Sequence, residues 1–567
     1  MTRAEETGRL RVSIVVADAI VPAWITMLLD DVVGCADLEL VEVIVDAPPI
    51  GVMGTSEPPS LGERMLARSD EWFSGRRAVL MAPADLRVWA HARGTGSVTE
   101  DSPRLVLGTI DEAPPVRPGI TLDLTGRGSG TWSDTDAGGE TWRLTGVPVG
   151  TRRPIVDPPG LTAAIIRGSQ VTTFELQSRV PGRVEPEILD VGVCPMHPSS
   201  PILTGEYLAA SARQLIVERL KAAGADHGAR GANERMDAAR LAAIGKAASL
   251  RAPAPRPAPR PGLAMAGAFA VRTATRRVRK AALEKRWHLL VGNQTPGQLL
   301  PDPSRLKPLV PRAGCYWADP FVVVHRDRTH VFFEEFVYAS KRGRIGVVTL
   351  DAQGRPGIEH VALELDSHLS YPCVFAHEGR FYMVPETAGT GRVDLYECLD
   401  MPARWEYRRT LLSGVRLLDA SLVEWDGLWW MFASLKKPAG LRTAELLVLY
   451  VSEDPVTGAW RPHPLSPLLA DVTNARPAGA PFVFGDRLYR LAQDSSGSYG
   501  RGIALNEVLS LSPVDYSERR VATVRPDWAW GICGTHTLNR AGDMVVMDAS
   551  RYVVRDPRRP RAESMLR

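Results

Sequence analysis

Residues Phe321 to Phe336 read FVVVHRDRTHVFFEEF, a hydrophobic strand, a tight polar turn and a second strand that ends on carboxylates. Four later segments repeat this pattern: Cys373 to Thr387, Leu422 to Leu435, Pro481 to Ser495 and Leu538 to Tyr552. Paired strands that recur every roughly 50 to 60 residues are typical of a β-propeller with one blade for each repeat. The sequence therefore predicts an all-β, five-bladed propeller over residues 286–557.

Polar residues recur where the inner strands of such a propeller converge on a central funnel. A charge at a position that should be buried costs free energy unless it is paired or solvated, so a recurring set indicates a site. A structural interpretation stays open, because such residues also cap turns and brace neighbouring blades. The set comprises Asp319, Glu335, Glu386, Asp419, Asp494 and His536.

Composition limits the classes of protein to consider. A chain of 567 residues predicts two or three domains, and 68 basic against 65 acidic residues give no reason to expect nucleic acid as a partner. The six cysteines stand singly, which argues against a disulfide framework or a zinc site. The N-terminus lacks the pattern of a signal peptide, so we expect a cytoplasmic protein.

The first part of the chain, residues 9–225, alternates predicted strands with predicted helices. This alternation favours a parallel sheet covered on both faces, and therefore an α/β, Rossmann-like domain. The strands are expected at Leu10 to Ala17, Leu38 to Asp46 and Gly119 to Leu124, and the helices at Pro22 to Val33 and Leu61 to Phe73.

Residues 226–285 are predicted to join the two domains. Arg251 to Gly262 form a Pro/Ala/Arg run that favours an extended linker. Leu263 to Arg286 are first apolar and then strongly basic, which suits peripheral contact with an anionic membrane at its inner face. The alternative is a solvated helix that packs on a domain. The basic tail Arg551 to Arg567 would reinforce a membrane contact.

The propeller segment resembles a known family in several phrases that occur in the same order. These include WADPF at Trp317 to Phe321, VPET at Val384 to Thr387, ARPAGAPFVF at Ala475 to Phe484 and GTHTLN at Gly534 to Asn539. They resemble the N-terminal domain of glucosamine inositolphosphorylceramide transferase, a five-bladed propeller family of plants and bacteria. In the plant enzymes a separate glycosyltransferase domain follows the propeller. We expect this chain to lack that domain, so the ceramide-glycosylating activity does not transfer by resemblance.

The same fold resembles, more distantly, the arabinanase and xylosidase group of glycoside hydrolases. That resemblance implies Asp319 as the base and Asp419 as the residue that tunes pKa values. Arg476 and Pro477 stand where the group has its acidic Glu, and a guanidinium cannot deliver a proton at neutral pH. Glu386 or Glu335 could supply the acid, or Arg476 could bind an anionic sugar phosphate.

The opening domain resembles the formyltransferase fold, with which bacterial members of the propeller family are paired. The catalytic Asn, His and Asp of formyltransferases have no counterparts here, and Arg179 to Arg183 (RVPGR) replaces the Asp loop. The resemblance therefore implies a formyltransferase-like scaffold without formyl-transfer chemistry.

We expect a carbohydrate-active protein, with glycosyl transfer in the assembly or modification of a bacterial surface glycan or glycolipid as the leading function. The alternatives are a non-catalytic sugar-binding module that recruits a glycosyltransferase, and a glycoside hydrolase. Asp319, Glu386 and Asp419 are the catalytic candidates. Substrate-binding candidates are Glu335, Tyr371, Arg476, Gln493, Asp494, Tyr499 and His536. No cofactor motif or metal-ligand spacing is evident, and a nucleotide-sugar donor and a calcium ion in the channel stay open.

Overall fold

The computed structural model describes residues 9–45, 79–80, 82–92, 104–107, 119–125, 140–147, 161–180, 186–226, 263–351, 353–387, 389–435 and 445–554. The chain divides into two compact units, residues 1–274 with 441–444 and residues 275–440 with 445–567. The Pro/Ala/Arg run and the basic tail beyond Val554 lie outside the described residues. The domain bounds given above remain a prediction. No helix in the described part of the chain is both long and apolar enough to cross a membrane.

The first unit contains a mixed sheet with few helices. Its elements are β1 (Leu10–Val16), β2 (Ile20–Pro22), α1 (Ala23–Val33), β3 (Leu38–Val45), β4 (Pro83–Asp85), α2 (Leu86–Ala92), β5 (Arg104–Leu107), β6 (Ile120–Leu124), β7 (Glu140–Thr145), α3 (Leu161–Ile166), β8 (Val171–Arg179), β9 (Glu187–Pro195) and α4 (Pro201–Asp226). The strand order is β9–β8–β7–β6–β1–β3–β5. The neighbouring strands from β7 to β5 in this order, namely β7–β6, β6–β1, β1–β3 and β3–β5, are parallel. Strands β7, β8 and β9 pair antiparallel.

Strand β1 is nearly all apolar because it pairs on both sides and is covered. The described helices are too few to show a Rossmann-like winding. The Rossmann-like assignment of the first unit therefore stays a prediction. The predicted helix at Leu61 to Phe73 lies outside the described residues.

Helix α5 (Leu263–Ala282) leads directly into the β-rich second unit, whose strands are antiparallel. One sheet joins the first and last strands of this unit: β10 (Leu283–Asn293), β11 (Lys307–Leu309), β29 (Ile532–Gly534), β30 (Leu538–Ala541) and β31 (Met544–Val554). The next two are β12 (Cys315–His325), β13 (Arg328–Val337), β14 (Arg342–Leu350) and β15 (Pro356–Leu363), then β16 (Ser370–His377), β17 (Arg380–Glu386), β18 (Arg392–Asp400) and β19 (Arg404–Ser413). Another holds β25 (Phe482–Phe484), β26 (Arg487–Asp494), β27 (Gly502–Leu511) and β28 (Tyr516–Val524).

The arrangement is propeller-like, but the predicted count of five blades is wrong: the described residues form four self-contained sheets. The third repeat, β20 (Leu417–Trp425), β21 (Leu428–Leu435) and β22 (Leu446–Ser452), lacks a continuous fourth strand. Strand β22 pairs instead with two short pieces, β23 (Arg461–Pro462) and β24 (Leu469–Asp471). Pro462, Pro464 and Pro467 occupy this stretch, and proline cannot donate a ladder hydrogen bond.

The five hairpins that the sequence predicts are confirmed by the strand pairings. Each hairpin has a two-residue turn. In three of the turns, at least the first residue is a non-glycine residue with a positive φ angle. At Arg326 and Asp327 the φ angles are 49° and 62°, the conformation that matches the twist of paired strands. The turns fix the register, and the register decides which side chains face inward.

The packed core of the second unit is expected to respond strongly to a cavity. Phe332 is fully buried and contacts the Trp405 ring edge-on at 5.5 Å, so Phe332→Ala should lower the free energy of unfolding by about 3–5 kcal/mol. Urea denaturation followed by tryptophan fluorescence measures this change. The exposed Ile358, truncated to Ala, is the control, and equal losses in both variants would contradict the core assignment.

Candidate functional site

Three residues near the start of inner strands have the same unusual backbone. Asp319, Tyr371 and Asp419 have φ angles of 51°, 42° and 54°, and the strand register shifts at each of them. Such a bulge turns a side chain away from its ordinary position, and the strained conformation is most often kept at functional sites. In three successive repeats the bulge therefore places a polar side chain at the same structural position.

The Asp319 carboxylate belongs to a buried ionic chain. His536 Nε2 lies 3.1 Å from Asp319 Oδ1, and His536 Nδ1 lies 2.7 Å from Asp548 Oδ2. The Thr537 hydroxyl also donates to Asp319 Oδ1 at 2.9 Å. Burial alone would lower the pKa of His536, but the carboxylates of Asp548 and Asp319 raise this pKa to about 10. An imidazolium between two carboxylates is therefore the stable form at neutral pH.

A second ionic cluster surrounds Asp419, which is buried. Arg476 donates to both carboxylate oxygens through Nε and Nη2, and Gln493 Nε2 donates to Oδ2 at 2.7 Å. The backbone N–H of Asp419 lies 3.3 Å from Glu386 Oε2. Burial and the charge of Asp419 raise the pKa of Glu386 well above its usual range. The cluster thus holds a carboxylate paired with a guanidinium beside a carboxyl group whose pKa is raised.

Glu334, which was not among the predicted residues, is a further buried acid. Burial, and next the charge of Asp319, raise the pKa of Glu334 well above its usual range. Its Oε1 lies 3.4 Å from the Tyr316 hydroxyl and 3.5 Å from His368 Nε2. The adjacent Glu335 lies on the other face of the strand.

Glu335 and Asp494 are not brought into the cluster. Glu335 accepts hydrogen bonds from Arg312 and Arg344 at 2.8 and 2.7 Å. Asp494 accepts from the backbone N–H and the hydroxyl of Ser496, as a turn-capping residue does. The remaining predicted residues meet in the two ionic clusters or border them.

Aromatic rings border the ionic clusters. The Trp287 and Tyr499 rings lie 4.3 and 5.1 Å from the His536 ring, and Arg476 lies over Tyr499 at 5.4 Å. Tyr371 is fully buried, and its hydroxyl accepts from Gly479 N–H at 2.6 Å. Tyr371 therefore has a structural role, because its hydroxyl links neighbouring repeats through a hydrogen bond. The Tyr499 ring is partly exposed.

A regular spacing identifies the inward positions. The seventh residue after each two-residue turn is polar in every repeat, and four of these five residues are buried, Glu386 being slightly exposed. The five are Glu334, Glu386, Ser434, Gln493 and Ser550. Counting from the turns therefore selects Glu334 over Glu335 and Gln493 over Asp494, and this signal was available in the sequence.

Asp319, His536 and Asp548 are also the group in the described residues that could hold a metal ion, with ligand atoms within 4.8 Å of one another. A metal ion there would have to displace the proton of His536, whose pKa the two carboxylates raise to about 10. The imidazolium offsets one of the two carboxylate charges in that space.

Comparison with known proteins confirms the resemblance of the second unit. The family model "Glucosamine inositolphosphorylceramide transferase 1, N-terminal" matches residues 310–537. The rice (Oryza sativa subsp. japonica) protein named glucosamine inositolphosphorylceramide transferase 1 is 37% identical over 205 residues, which are 35% of this chain and 27% of that protein. The Arabidopsis thaliana protein of the same name is 31% identical over 210 residues, 36% and 27% of the two chains. The match thus spans about a quarter of these relatives.

Among solved structures, a family 117 glycoside hydrolase of Zobellia galactanivorans is similar with a TM-score of 0.32 and 11% identity, covering 47% of this chain and 90% of that one. The β-xylosidase RS223 has a TM-score of 0.33 and 13% identity, covering 43% and 94%. Scores of this size support no argument about chemistry.

The ionic chain at His536 predicts a pH-dependent contribution to stability. The folded pKa of about 10 exceeds the ordinary histidine pKa of 6.5, so the contribution is complete below pH 6.5 and is lost as the pH rises towards 10. The difference in unfolding free energy between wild type and His536→Gln should therefore shrink across this window, as measured by urea denaturation at several pH values. His360→Gln, on an exposed strand, is the control. A constant difference for His536→Gln would contradict the imidazolium.

Removal of Arg476 should leave Asp419 as a buried, unpaired charge. We expect Arg476→Ala to lower the free energy of unfolding by about 3–5 kcal/mol. The control is Arg487→Ala, because Arg487 is 63% exposed in its pair with Glu507, and exposed pairs contribute about 0–1 kcal/mol. Thermal denaturation of both variants measures the contrast. Similar small losses would show that the pair at Asp419 is not buried in solution.

Proposed function

We propose that the second unit is a carbohydrate-active site that transfers a sugar by acid–base chemistry, in the assembly or modification of a surface glycan or glycolipid. One observation carries the proposal: two carboxyl groups on inner strands of the second unit have different surroundings, one with a raised pKa beside another acid and one paired with a cation. Glu386 has a raised pKa, while Asp319 is held by the His536 imidazolium. Paired carboxyls whose surroundings separate their proton affinities are the usual means of acid–base catalysis at a glycosidic bond.

In the proposed reaction Asp319 accepts the proton of the acceptor hydroxyl as its oxygen attacks the anomeric carbon. Glu386 gives its proton to the leaving oxygen as the old glycosidic bond breaks, so the two carboxyl groups exchange protonation states. Burial, and next the negative charge of Asp419, raise the pKa of Glu386 and so favour its protonated form before the reaction. A donor whose leaving oxygen needs a proton suits this site.

A nucleotide-sugar donor is less well supported than such a glycoside. Arg476 already donates to Asp419 through two nitrogens, and His536 stands between two carboxylates. Either cation would have to leave its partner to hold a phosphate. Gln493 instead offers an acceptor, because its buried Oε1 has no hydrogen-bond partner in the described part of the structure. A sugar hydroxyl could donate to this oxygen.

A sugar-binding module that recruits a glycosyltransferase is the second candidate. The oxygens of Asp319 and Asp419 each accept several hydrogen bonds, and such saturated networks are also built for rigidity alone. The first unit then serves as a formyltransferase-like scaffold, an assignment that rests on the sequence. The cytoplasmic location is likewise part of the proposal.

Isosteric variants of the full chain separate catalysis from binding. Glu386→Gln and Asp319→Asn should each lower glycosyl transfer between oligosaccharides or glycolipids by about 10²–10⁴-fold, with product formation followed by chromatography. Binding, followed by thermal shift, should persist. The control is Glu335→Gln, which changes an adjacent strand residue outside the cluster and should retain activity. Sugar binding without turnover in the wild type would favour the binding module, and turnover unchanged in Glu386→Gln would overturn the proposed acid.

A further inference from the structure

Three residues of the site are partly open to solvent. The side chains of Arg476 and Glu386 are 15% and 12% exposed, and Tyr499 is partly exposed as well. The charged groups behind them are nearly closed, with at most 7% of the side chain exposed in Asp319, Asp419 and His536. The surface formed by Arg476, Glu386 and Tyr499, here called the open face, is therefore where a ligand first meets the cluster.

Arg476 joins the members of the open face. Its Nη2 lies 3.9 Å from Glu386 Oε2, and its guanidinium carbon lies 5.4 Å from the centre of the Tyr499 ring. Nε and Nη2 both donate to Asp419, whereas Nη1 makes no hydrogen bond to any described residue. Asp419 therefore fixes the plane of the guanidinium, and Nη1 remains as an oriented donor for an oxygen of a ligand.

The backbone around Tyr499 is held in place by its neighbours. The Tyr499 carbonyl accepts from Lys285 Nζ at 3.0 Å, and the Gly500 carbonyl accepts from the Thr535 N–H at 2.9 Å. Gly500 has a φ angle of 63°, and a Cβ there would lie 2.5 Å from the Trp287 ring, so this position requires glycine. The Tyr499 ring is thus positioned before a ligand arrives, which reduces the entropy lost on binding.

The open face is poorly suited to an anion. Asp419 already offsets the charge of Arg476, and Glu386 lies close to the same guanidinium. Burial raises the pKa of the Tyr499 hydroxyl well above its usual range, and the carboxylates of Asp319 and Asp419 add to this increase, although Arg476 opposes it. The surroundings of the ring therefore disfavour a negative charge, whether it belongs to the phenol or to a ligand.

We propose that the open face is a subsite for one uncharged sugar residue, with a sugar oxygen bound to Arg476 Nη1 and the C–H face of the sugar against the Tyr499 ring. Ligand sites commonly combine an aromatic surface with a few oriented polar groups in this way. The oxygen that accepts from Arg476 is then held beside Glu386, the acid of the proposed reaction. The inference rests on the proposed carbohydrate function, and it narrows the substrate to glycosides without a carboxylate or phosphate on the sugar residue bound here.

Binding of simple glycosides to the full chain tests the subsite. The probes are the methyl glycosides of glucose, galactose and mannose at millimolar concentrations, each compared with the methyl glycoside of the corresponding uronic acid. At least one neutral glycoside should bind, and its charged counterpart should bind about tenfold more weakly because of the carboxylates around the open face. Titrations followed by NMR give the dissociation constants, and ring-current shifts of the sugar C–H protons report stacking on an aromatic ring. This comparison uses the wild-type chain and needs no variant.

A pair of tyrosine variants locates the binding. Tyr499→Leu should weaken binding of the neutral glycoside about fivefold or more and remove the ring-current shifts, because an aromatic contact contributes at about this level. Tyr407→Leu removes a ring that is 55% exposed on β19, and as the control it should bind like wild type. Unchanged binding in Tyr499→Leu, tighter binding of the uronic acid glycosides, or binding of no neutral glycoside would overturn the proposal.

The transfer assay separates this inference from the proposed function. Glu386→Gln should keep glycoside binding, because the amide is also uncharged, while it loses transfer. Glycoside binding that depends on Tyr499 in a wild type without turnover would retain the subsite and remove the transfer reaction. Turnover with an unchanged KM in Tyr499→Leu would remove the subsite and leave the reaction.

Discussion

The burial of several carboxyl groups at one place is the constraint on which the second unit depends. Ionised carboxylates away from water need a cation and hydrogen bonds, and the chain supplies only two buried cations there among the described residues, His536 and Arg476. These two neutralise Asp548, Asp319 and Asp419 in part. Glu334 and Glu386 have more distant partners, His368 Nε2 at 3.5 Å and Arg476 Nη2 at 3.9 Å, and burial raises the pKa of both carboxyl groups well above the usual range. Charge balance, more than any single contact, sets the chemistry of the site.

The backbone around the site is shaped to meet this constraint. The segment before Arg476 is held by Arg490, whose guanidinium donates to the carbonyls of Asn474 and Ala475 and to Glu518. The bulges at Asp319 and Asp419 direct carboxylates inward at a conformational cost that the surrounding sheets sustain. The backbone strain and the buried charges occur at the same residues. The packing of the sheets must therefore offset the free-energy cost of both. The continuous apolar strands beside them meet that need.

The sequence was most informative where one physical rule acted alone. Strand alternation and turn chemistry predicted all five hairpins, but the count of blades failed at the third repeat, where prolines divide the edge strand. Among the site residues, the choice between Glu334 and Glu335 needed the phase of the strand, and composition alone does not contain it. Counting from the turn would have supplied this phase. Asp548 was missed for another reason: its role depends on pairing with His536, a contact made only after the sheet closes.

The two protonated acids are not equivalent, and their neighbours decide which one suits a proton donor. After burial, the charge of Asp319 does most to raise the pKa of Glu334, and the charge of Asp419 does most to raise the pKa of Glu386. A donor beside the base would share its proton with that base, and the glycosidic oxygen would compete poorly for it. The donor must instead stand across the sugar from the base, several ångströms away. Glu386 is therefore the donor in the proposed reaction, because its main charged neighbour is Asp419, whereas that of Glu334 is the proposed base Asp319.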